Sequence, residues 1–257
     1  MKNKKSLGQN WLKNRGILDA IADLAAGEDT DAEKSPCLEI GPGLGTLTSS
    51  LLKRFSKVVA VEFDENLAKN LPKSFPGKNL EVLNADILSR ENISDFLSEA
   101  ERENYFVAAN IPYYITSPII EKLLTDKKLA QKIVLLVQKE VALRIVSEKE
   151  TVLSLFVKNH AEPELGFLVG REEFTPPPKV DSAVIVLTPK EAVVDEKVFE
   201  LIKAGFRSPR KKLVANLGNF GSKEKIAKIL EDLGLSADAR PADLHLADWK
   251  KLFDRVS

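Results

Sequence analysis

Residues 37–45 read CLEIGPGLG, a short apolar run that ends in three closely spaced glycines. The apolar run predicts a buried strand, and apolar residues from Leu47 to Phe55 follow at helical spacing. Glycines between a strand and a helix let backbone amides approach a ligand at the carboxyl end of a parallel sheet. The spacing is G-x-G-x-G, without the final glycine of the dinucleotide pattern, so a plain tight turn is the structural alternative for this element alone.

Strand and helix signals alternate around this turn, from residue 17 to about residue 160. The predicted strands are Cys37–Ile40, Val58–Val61, Leu80–Leu83, Tyr105–Ala109 and Ile133–Val137. The predicted helices include Ile17–Ala25, Ile93–Ala100, a helix that begins at Ser117-Pro118, and Val141–Val146. Repeated strand-helix units predict an α/β fold with a parallel sheet covered on both faces.

The pattern changes after Pro189, where four helical stretches follow one another. They are Phe199–Phe206, Leu213–Leu217, Ile226–Leu233 and Leu244–Phe253. We therefore predict a first domain over residues 1–189 and a small all-helical C-terminal domain over residues 190–257.

Composition excludes several classes of protein. The one cysteine, Cys37, excludes a disulfide framework and a cysteine zinc site, and two isolated histidines argue against a histidine-based metal site, so no metal is expected. No apolar run approaches the roughly 20 residues that span a bilayer, so no membrane partner is expected. The Lys-rich N-terminus has no apolar stretch behind it, so no signal peptide is expected, and we predict a cytoplasmic protein.

The formal net charge is zero, but the basic residues are segregated. Residues 1–18 and residues 203–223 contain lysines and arginines and no acid. Such stretches are compatible with a phosphate-binding face, and equally with solvated surface charge. The candidate RNA-binding residues are Lys4, Lys5, Arg207, Arg210, Lys211 and Lys212.

Carboxylates follow the next two predicted strands at the same edge of the sheet. Glu62 ends the second strand about 20 residues after the glycines, where an acid can accept both hydroxyl groups of a ribose. Asp86 follows the third strand and can accept a hydrogen bond from an exocyclic adenine amine. With backbone approach at Gly41 and Gly43 and no phosphate-binding lysine, these acids predict an adenosyl ligand without phosphates. S-adenosylmethionine fits best.

The stretch NIPYYITSP, residues 110–118, follows the fourth strand. The side-chain oxygen of Asn110 and the carbonyl of Ile111, in a turn stiffened by Pro112, would converge on an NH2 group. Tyr113 offers a flat face for an extruded base. Two acceptors favour the sp3 nitrogen that attacks a methyl group, so positioning rather than an unusual base would perform the catalysis. An Asx-type turn that caps a helix is the structural alternative.

Several motifs in the same order are shared with a known family. They are LGQNWL (7–12), LEIGPGLG (38–45), VE (61–62), NAD (84–86), NIPY (110–113), SP (117–118), VQKEVA (137–142), FTPPPKVDS (174–182) and RKKL (210–213). Over nearly its whole length the chain resembles the KsgA-type rRNA adenine dimethyltransferases.

The resemblance implies a Rossmann-like class I methyltransferase domain followed by a helical C-terminal domain. It implies that S-adenosylmethionine is used to dimethylate two adjacent adenosines in the 3′-terminal hairpin of small-subunit rRNA, in an immature 30S particle. We expect a monomer. By the same resemblance, Phe174 would face Tyr113 across the target base, although the residues alone indicate an ordinary core aromatic. The implied cofactor contacts are Gln9, Asn10, Leu12, Gly41, Glu62, Asp86 and Asn110.

The chain departs from the family at a few positions. The family usually has Phe where Trp11 stands and Leu at Ile111. Ile111 also occurs in the sister group that methylates large-subunit rRNA and confers macrolide resistance. The segment between Arg144 and Ser154 is shorter than usual, so no RNA contact is assigned to it.

Two alternative functions remain at the level of sequence. A large-subunit dimethyltransferase is the nearest, although Ser117-Pro118, the run PPPKVDS (176–182) and RKK (210–212) favour the small-subunit group. A non-catalytic ribosome-assembly or transcription factor on the same fold is the other. Retention of Asn110, Tyr113 and Glu62 argues against it, because binding alone needs no methyl-transfer pocket.

Overall fold

The buried apolar runs form strands and the amphipathic segments form helices in the computed structural model, which describes residues 10–27 and 32–256. Along the chain these are β1 (Trp11–Leu12), α1 (Arg15–Ala26), β2 (Pro36–Ile40), α2 (Thr48–Leu51), β3 (Lys57–Glu62), α3 (Glu65–Asn70), β4 (Leu80–Asn84), β5 (Phe106–Asn110), α4 (Thr116–Leu124), β6 (Lys132–Gln138), α5 (Lys139–Val146), α6 (Val152–His160), β7 (Ala161–Val169), β8 (Phe174–Thr175), β9 (Ser182–Pro189), α7 (Glu196–Gly205), α8 (Leu213–Asn216), α9 (Lys223–Asp232) and α10 (Leu246–Val256).

The central sheet has seven strands in the order β4-β3-β2-β5-β6-β9-β7. Strands β2 to β6 pair in parallel, and β9 is antiparallel to β6. Strand order reverses between β2 and β5, because β3 and β4 extend the sheet on one side of β2 and β5 extends it on the other. In open α/β sheets a ligand crevice forms at the carboxyl ends of the strands beside such a reversal.

The central strands are buried on both faces, which explains their continuous apolar sequence. Every residue of β2 is buried, as are the first four residues of β5, Phe106–Ala109. Helix α1 packs on β5 and β6 through a stripe of Leu18, Ile21, Ala22 and Ala25. The side chain of Asn14 caps α1 by accepting a hydrogen bond from the Gly16 N–H at 3.0 Å. The predicted α/β class with a Rossmann-like sheet is confirmed.

The chain divides into two compact units. The first runs to Ala142 and includes Pro163–Pro189, and the second comprises Leu143–Glu162 and the chain from Lys190 onward. The predicted boundary near residue 190 is therefore incomplete, because residues 143–162 group with the helical unit. Asn159 explains this grouping: its amide accepts from the Val194 N–H at 2.8 Å and donates to the Val194 carbonyl at 3.1 Å.

The helical unit has its own core. It is built around Trp249, Leu201, Leu230 and Leu155, which are all fully buried. Helix α6, which the sequence pattern did not predict, contributes Leu155 to this core. The unit therefore buries enough apolar surface for a domain of its own.

Two local predictions were wrong. Residues 93–100 form no α-helix but a 3₁₀ turn at Ile93–Phe96, after which Leu97 is extended. The buried Asp126 accepts hydrogen bonds from the backbone and hydroxyl of Ser94, and these take the place of helical bonds. Helix α4 begins at Thr116 rather than behind a Ser117 cap, because a 3₁₀ turn at residues 113–115 leads directly into it.

Candidate active site

A cleft lies at the carboxyl edge of the sheet, where β2, β3, β4 and β5 end. Most of the residues predicted from the sequence line it. They are Asn10, Leu12, Gly41, Gly43, Glu62, Asp86, Asn110, Ile111, Pro112 and Tyr113. The parallel strands β2 to β5 bring most of these residues to one place, whereas Leu12 comes from the separate β1–β8 sheet, which Asn10 directly precedes. Residues as far apart in the chain as Asn10 and Tyr113 therefore line the same cleft.

The glycine turn after β2 is left-handed at Gly43, with φ of +59°. A Cβ atom there would lie 3.3 Å from the indole nitrogen of Trp11, so the turn and β1 pack closely. Gly45, with φ of +79°, is tighter still, because a Cβ would lie 2.5 Å from the side chain of Leu71. Both positions favour glycine for backbone conformation, and Gly45 favours it for space as well.

Glu62 is held in a fixed orientation at the end of β3. Its two carboxylate oxygens accept one backbone N–H each, from Gly43 at 3.0 Å and from Asp64 at 2.8 Å. Burial raises the pKa of this carboxyl, and the two N–H donors oppose the rise. Each oxygen retains acceptor capacity for a further donor, which suits a pair of ribose hydroxyls.

Glu39 also lines the cleft, and the sequence reasoning gave it no role. Its side chain is 1% exposed, and Oε2 has no hydrogen-bond partner among the described residues. Burial raises the pKa of Glu39 to about 8, the negative charge of Glu62 raises it further, and Thr48 opposes the rise. In the sequence, a role for Glu39 was signalled by its position inside a predicted buried strand, as the second residue of LEIGPG (38–43), because a charged side chain is unusual there.

Asp86 forms the far end of the cleft, after β4. Its Oδ1 accepts the N–H of Leu88 at 2.9 Å, which closes a turn and fixes the carboxylate. The amide of Asn84 braces the neighbouring strand by donating to the Glu62 carbonyl at 2.9 Å. Asp86 lines the cleft, and its second carboxylate oxygen has acceptor capacity for a ligand amine.

The segment after β5 is ordered by contacts at both ends. The Asn110 side-chain nitrogen donates to the Asn10 carbonyl at 3.2 Å, so the side-chain oxygen is the group that can accept. The Ile111 N–H donates to the Leu136 carbonyl at 3.3 Å, and the Ile111 side chain is buried. The Ile115 N–H closes the turn on the Pro112 carbonyl at 3.1 Å.

Tyr113 is anchored through its hydroxyl group. The hydroxyl lies 2.7 Å from the hydroxyl of Ser182, which is fully buried at the start of β9. Burial raises the pKa of Tyr113, so the phenol is neutral at physiological pH. The ring is thereby fixed at the wall of the cleft before any base enters.

Phe174 does not line the cleft. It is 3% exposed, belongs to the core of the first unit and pairs across β1 and β8 with Leu12. Its predicted position opposite Tyr113 across a base stays a prediction. Of the other predicted residues, Gln9, Lys4 and Lys5 fall outside the described residues.

The candidate RNA-binding residues of the second unit are all exposed. They are Arg207, Arg210, Lys211 and Lys212. Lys212 forms an ion pair with Asp238, so part of its charge is already compensated. Lys211 has no ion pair within 4.0 Å among the described residues, which makes it the more available of the two lysines.

Three aromatic residues line the cleft without having been predicted as site residues: Trp11, Phe63 and Tyr114. Phe63 and Tyr114 expose 63% and 65% of their surface. Each directly follows a predicted residue, Glu62 or Tyr113, and that adjacency was the available signal. Exposed aromatic rings at a ligand cleft are suited to stacking on planar ligands.

The cleft fits an adenosyl cofactor by the chemistry of its groups. Glu62 and Asp86 offer acceptors for the ribose hydroxyls and the adenine amine. Ile87, Val61 and Leu47 add apolar walls. In residues 10–27 and 32–256, no three His, Cys, Asp or Glu side chains are grouped so as to hold a metal ion. Within the same ranges, no helix is both long and apolar enough to cross a membrane.

Comparisons with known proteins agree with this geometry. The family model described as "Ribosomal RNA adenine dimethylase" matches residues 1–257. The ribosomal RNA small subunit methyltransferase A of Mycoplasma mycoides is 37% identical over 267 aligned positions, covering 100% of this chain and 98% of that protein. The protein of the same name from Levilactobacillus brevis is 40% identical over 265 positions, covering 97% of this chain and 88% of that protein.

Two solved structures share the fold at comparable similarity. A dimethyladenosine transferase from Plasmodium falciparum is 29% identical, with a TM-score of 0.76, and the match covers 94% of this chain and 95% of that one. The 23S rRNA methyltransferase ErmE is 28% identical, with a TM-score of 0.75, and the match covers 96% and 99%.

Proposed function

The chain belongs to the ribosomal RNA adenine dimethylase family, and from that premise we propose that it dimethylates two adjacent adenosines in the 3′-terminal hairpin of small-subunit rRNA. The protein is an S-adenosylmethionine-dependent rRNA adenine dimethyltransferase, as the family match and the relatives indicate. The names of the relatives support the small-subunit target, and the likeness to ErmE keeps large-subunit rRNA as the second candidate.

One observation supports the catalytic assignment above the others. Asn110, whose amide is oriented by the Asn10 carbonyl, stands in the same cleft as Glu62 and Asp86. An acceptor for an amine is therefore next to a surface suited to an adenosyl group. When bound, the cofactor supplies an electrophilic methyl group on sulfur.

The chain contributes positioning rather than a strong base. The side-chain oxygen of Asn110 and the carbonyl of Ile111 accept the two N–H groups of the adenine amine, which draws its lone pair out of conjugation with the ring. The ring of Tyr113, fixed through Ser182, stacks on the extruded base. Held in this way, the nitrogen presents its lone pair along one direction.

A methylation assay with purified protein tests the target. Small-subunit and large-subunit particles lacking the modification are incubated with S-adenosylmethionine, then analysed by nucleoside mass spectrometry and primer extension. We expect N6,N6-dimethyladenosine at two adjacent positions of small-subunit rRNA, and none with Asn110→Ala. Modification of large-subunit rRNA instead, or binding without methylation by the wild-type protein, would contradict the proposal.

The cofactor assignment has a separate test. Glu62→Ala removes the acceptor for the ribose, so binding of S-adenosylhomocysteine should weaken by roughly 1.5–3 kcal/mol, the range for hydrogen bonds to a charged group. Isothermal calorimetry measures the change, and circular dichroism checks that the variant is folded. Unchanged affinity in a folded variant would remove Glu62 from the site.

We further propose that the enzyme acts as a monomer in the cytoplasm, on an immature 30S particle. Its one thiol, Cys37, is free and buried, which is compatible with a reducing compartment. Exposed Arg207, Arg210 and Lys211 would contact rRNA phosphates rather than base edges. Light scattering of the purified protein tests the monomer.

A further inference from the structure

Tyr114 presents an exposed aromatic ring at the mouth of the cleft. It lines the cleft, yet 65% of its surface is exposed. Among the large apolar and aromatic side chains of residues 10–27 and 32–256, only Phe63 comes near this value, at 63%, and the next is Leu168 at 52%. The two most exposed rings therefore line one cleft, and such a concentration marks a surface that another molecule covers.

The backbone of Tyr114 is held in place, whereas its ring is not. Tyr114 is the middle residue of the 3₁₀ turn that follows β5. The Ile115 N–H closes this turn on the Pro112 carbonyl at 3.1 Å, and the Thr116 hydroxyl donates to the Tyr113 carbonyl at 3.2 Å. The hydroxyl of Tyr114 has no hydrogen bond to any described residue. A fixed turn thus presents a ring that gives up no polar contact when a ligand arrives.

Tyr113 and Tyr114 cannot cover the two faces of one base. A 3₁₀ turn has three residues per turn, so successive side chains leave it about 120° apart. The hydroxyl of Tyr113 lies 2.7 Å from the hydroxyl of the buried Ser182, which directs that ring towards the wall of the cleft. The ring of Tyr114 leaves the turn in another direction, so it is available to a planar group other than the base on Tyr113.

Extrusion of the target base provides such a planar group. When a base leaves its stack, the next base along the strand loses a stacking partner. An aromatic side chain can replace that partner whatever the sequence, because every base has a π-face. The Cα atoms of Tyr113 and Tyr114 are about 3.8 Å apart, so two neighbouring rings are available to two neighbouring bases.

We propose that Tyr114 stacks on the nucleobase adjacent to the target adenosine and replaces the stacking that this base loses on extrusion. The inference rests on the proposed function, in which Tyr113 receives the target base. Phe63 directly follows Glu62 at the end of β3, in the part of the cleft assigned to the cofactor, so Tyr114 is the exposed ring left for RNA. Tyr114 is thus a positioning residue that holds the strand beside the extruded nucleotide.

Methylation of particles that lack one base identifies the partner of the ring. Small-subunit particles are reconstituted with a synthetic 3′-terminal hairpin in which the nucleotide on the 5′ or the 3′ side of one target adenosine is abasic. On intact particles, Tyr114→Ala should lower kcat/KM by roughly fivefold to a hundredfold, the range for one stack of a base on an aromatic ring. On the particle that lacks the stacked base, wild type and Tyr114→Ala should be equal, whereas Tyr113→Ala should keep its full effect. An unchanged effect of Tyr114→Ala with either abasic particle would overturn the proposal.

Two control variants and one binding measurement complete the test. Tyr114→Phe keeps the ring and should match wild type, as should Leu129→Ala, which removes an exposed apolar side chain just before β6, at the opposite edge of the sheet. Calorimetry should give Tyr114→Ala the same affinity for S-adenosylhomocysteine as wild type, and weaker binding would assign the ring to the cofactor and overturn the proposal. Equal kcat/KM of wild type and Tyr114→Ala on intact particles would refute the inference alone, whereas failure of the wild-type protein to methylate them would refute the proposed function.

Discussion

Glu39 should make the first unit less stable as pH rises, and Glu39→Gln should remove that dependence. In the folded chain burial and the charge of Glu62 raise the pKa of Glu39 from 4.5 to about 8, whereas in the unfolded chain the carboxyl is solvated. Below about pH 4.5 both states are protonated, and above about pH 8 both are ionised. Between these values only the unfolded chain has lost the proton, so stability falls as pH rises through this window.

The size of the effect follows from the width of the window. A rise in pKa from 4.5 to about 8 corresponds to about 5 kcal/mol of stability lost across the full interval. Between about pH 5 and about pH 8 the loss should be roughly 4 kcal/mol. Glutamine has nearly the same shape as the protonated carboxyl and does not ionise, so Glu39→Gln should be the more stable protein at about pH 8 by a similar amount.

Urea unfolding at several pH values measures this difference. In a Trp249→Phe background the remaining tryptophan emission comes from Trp11 and so reports the first unit. Comparing the proteins with and without Glu39→Gln in that background cancels the titrating groups that do not interact with Glu39. Parallel stability curves for the two proteins from about pH 5 to about pH 8 would show that the buried carboxyl is ionised throughout and would refute the reasoning.

Three further predictions concern the base, the RNA and the glycine turn. After the first methyl transfer the adenine N6 amine has only one N–H left to donate, so stacking of the base on Tyr113 should matter more for the second transfer. Tyr113→Ala should therefore accumulate N6-monomethyladenosine. An unchanged ratio of monomethyl to dimethyl product in a slowed variant would contradict this. Lys211→Gln should lower the salt slope of RNA binding by about one unit, and Lys212→Gln by less because Asp238 already compensates its charge; equal slopes for wild type and Lys211→Gln would show solvated surface only. Gly45→Ala should lower the free energy of unfolding by more than about 1 kcal/mol, measured by thermal unfolding. Gly77→Ala is the control, because φ is also positive there but nothing lies within 4 Å of an added Cβ, so its loss should be smaller. Equal losses in the two variants would mean that backbone strain alone, and not the contact with Leu71, determines the destabilisation.

The sheet and the polar side of the cleft could be predicted from the sequence because they depend on local patterns. Buried strands appear as apolar runs, and the residue after each run must lie at the same edge of a parallel sheet. This reasoning placed Glu62, Asp86 and Asn110 in one cleft, where the structure has them. The family match confirms the resemblance that the motifs indicated.

The remaining features depend on contacts between distant parts of the chain. Residues 143–162 group with the second unit because Asn159 binds the backbone of Val194, and no local pattern reports such a pairing. The helix predicted for residues 93–100 does not form, because Asp126, far along the chain, accepts a hydrogen bond from the backbone of Ser94. The place of Trp11 in the wall depends on its pairing with Thr175, which likewise cannot be inferred from the residues around it.

The hydrogen bond between the hydroxyls of Tyr113 and Ser182 lowers the entropy cost of substrate binding. A side chain that must be immobilised when a ligand arrives costs about 0.5–1.5 kcal/mol of binding free energy. Ser182 restrains the tyrosine ring in the free protein, so that cost is met during folding and is absent when RNA binds. The restraint comes from β9, the strand that runs antiparallel to β6. The antiparallel edge of an otherwise parallel sheet thus helps to determine how rigidly the surface that receives the base is presented.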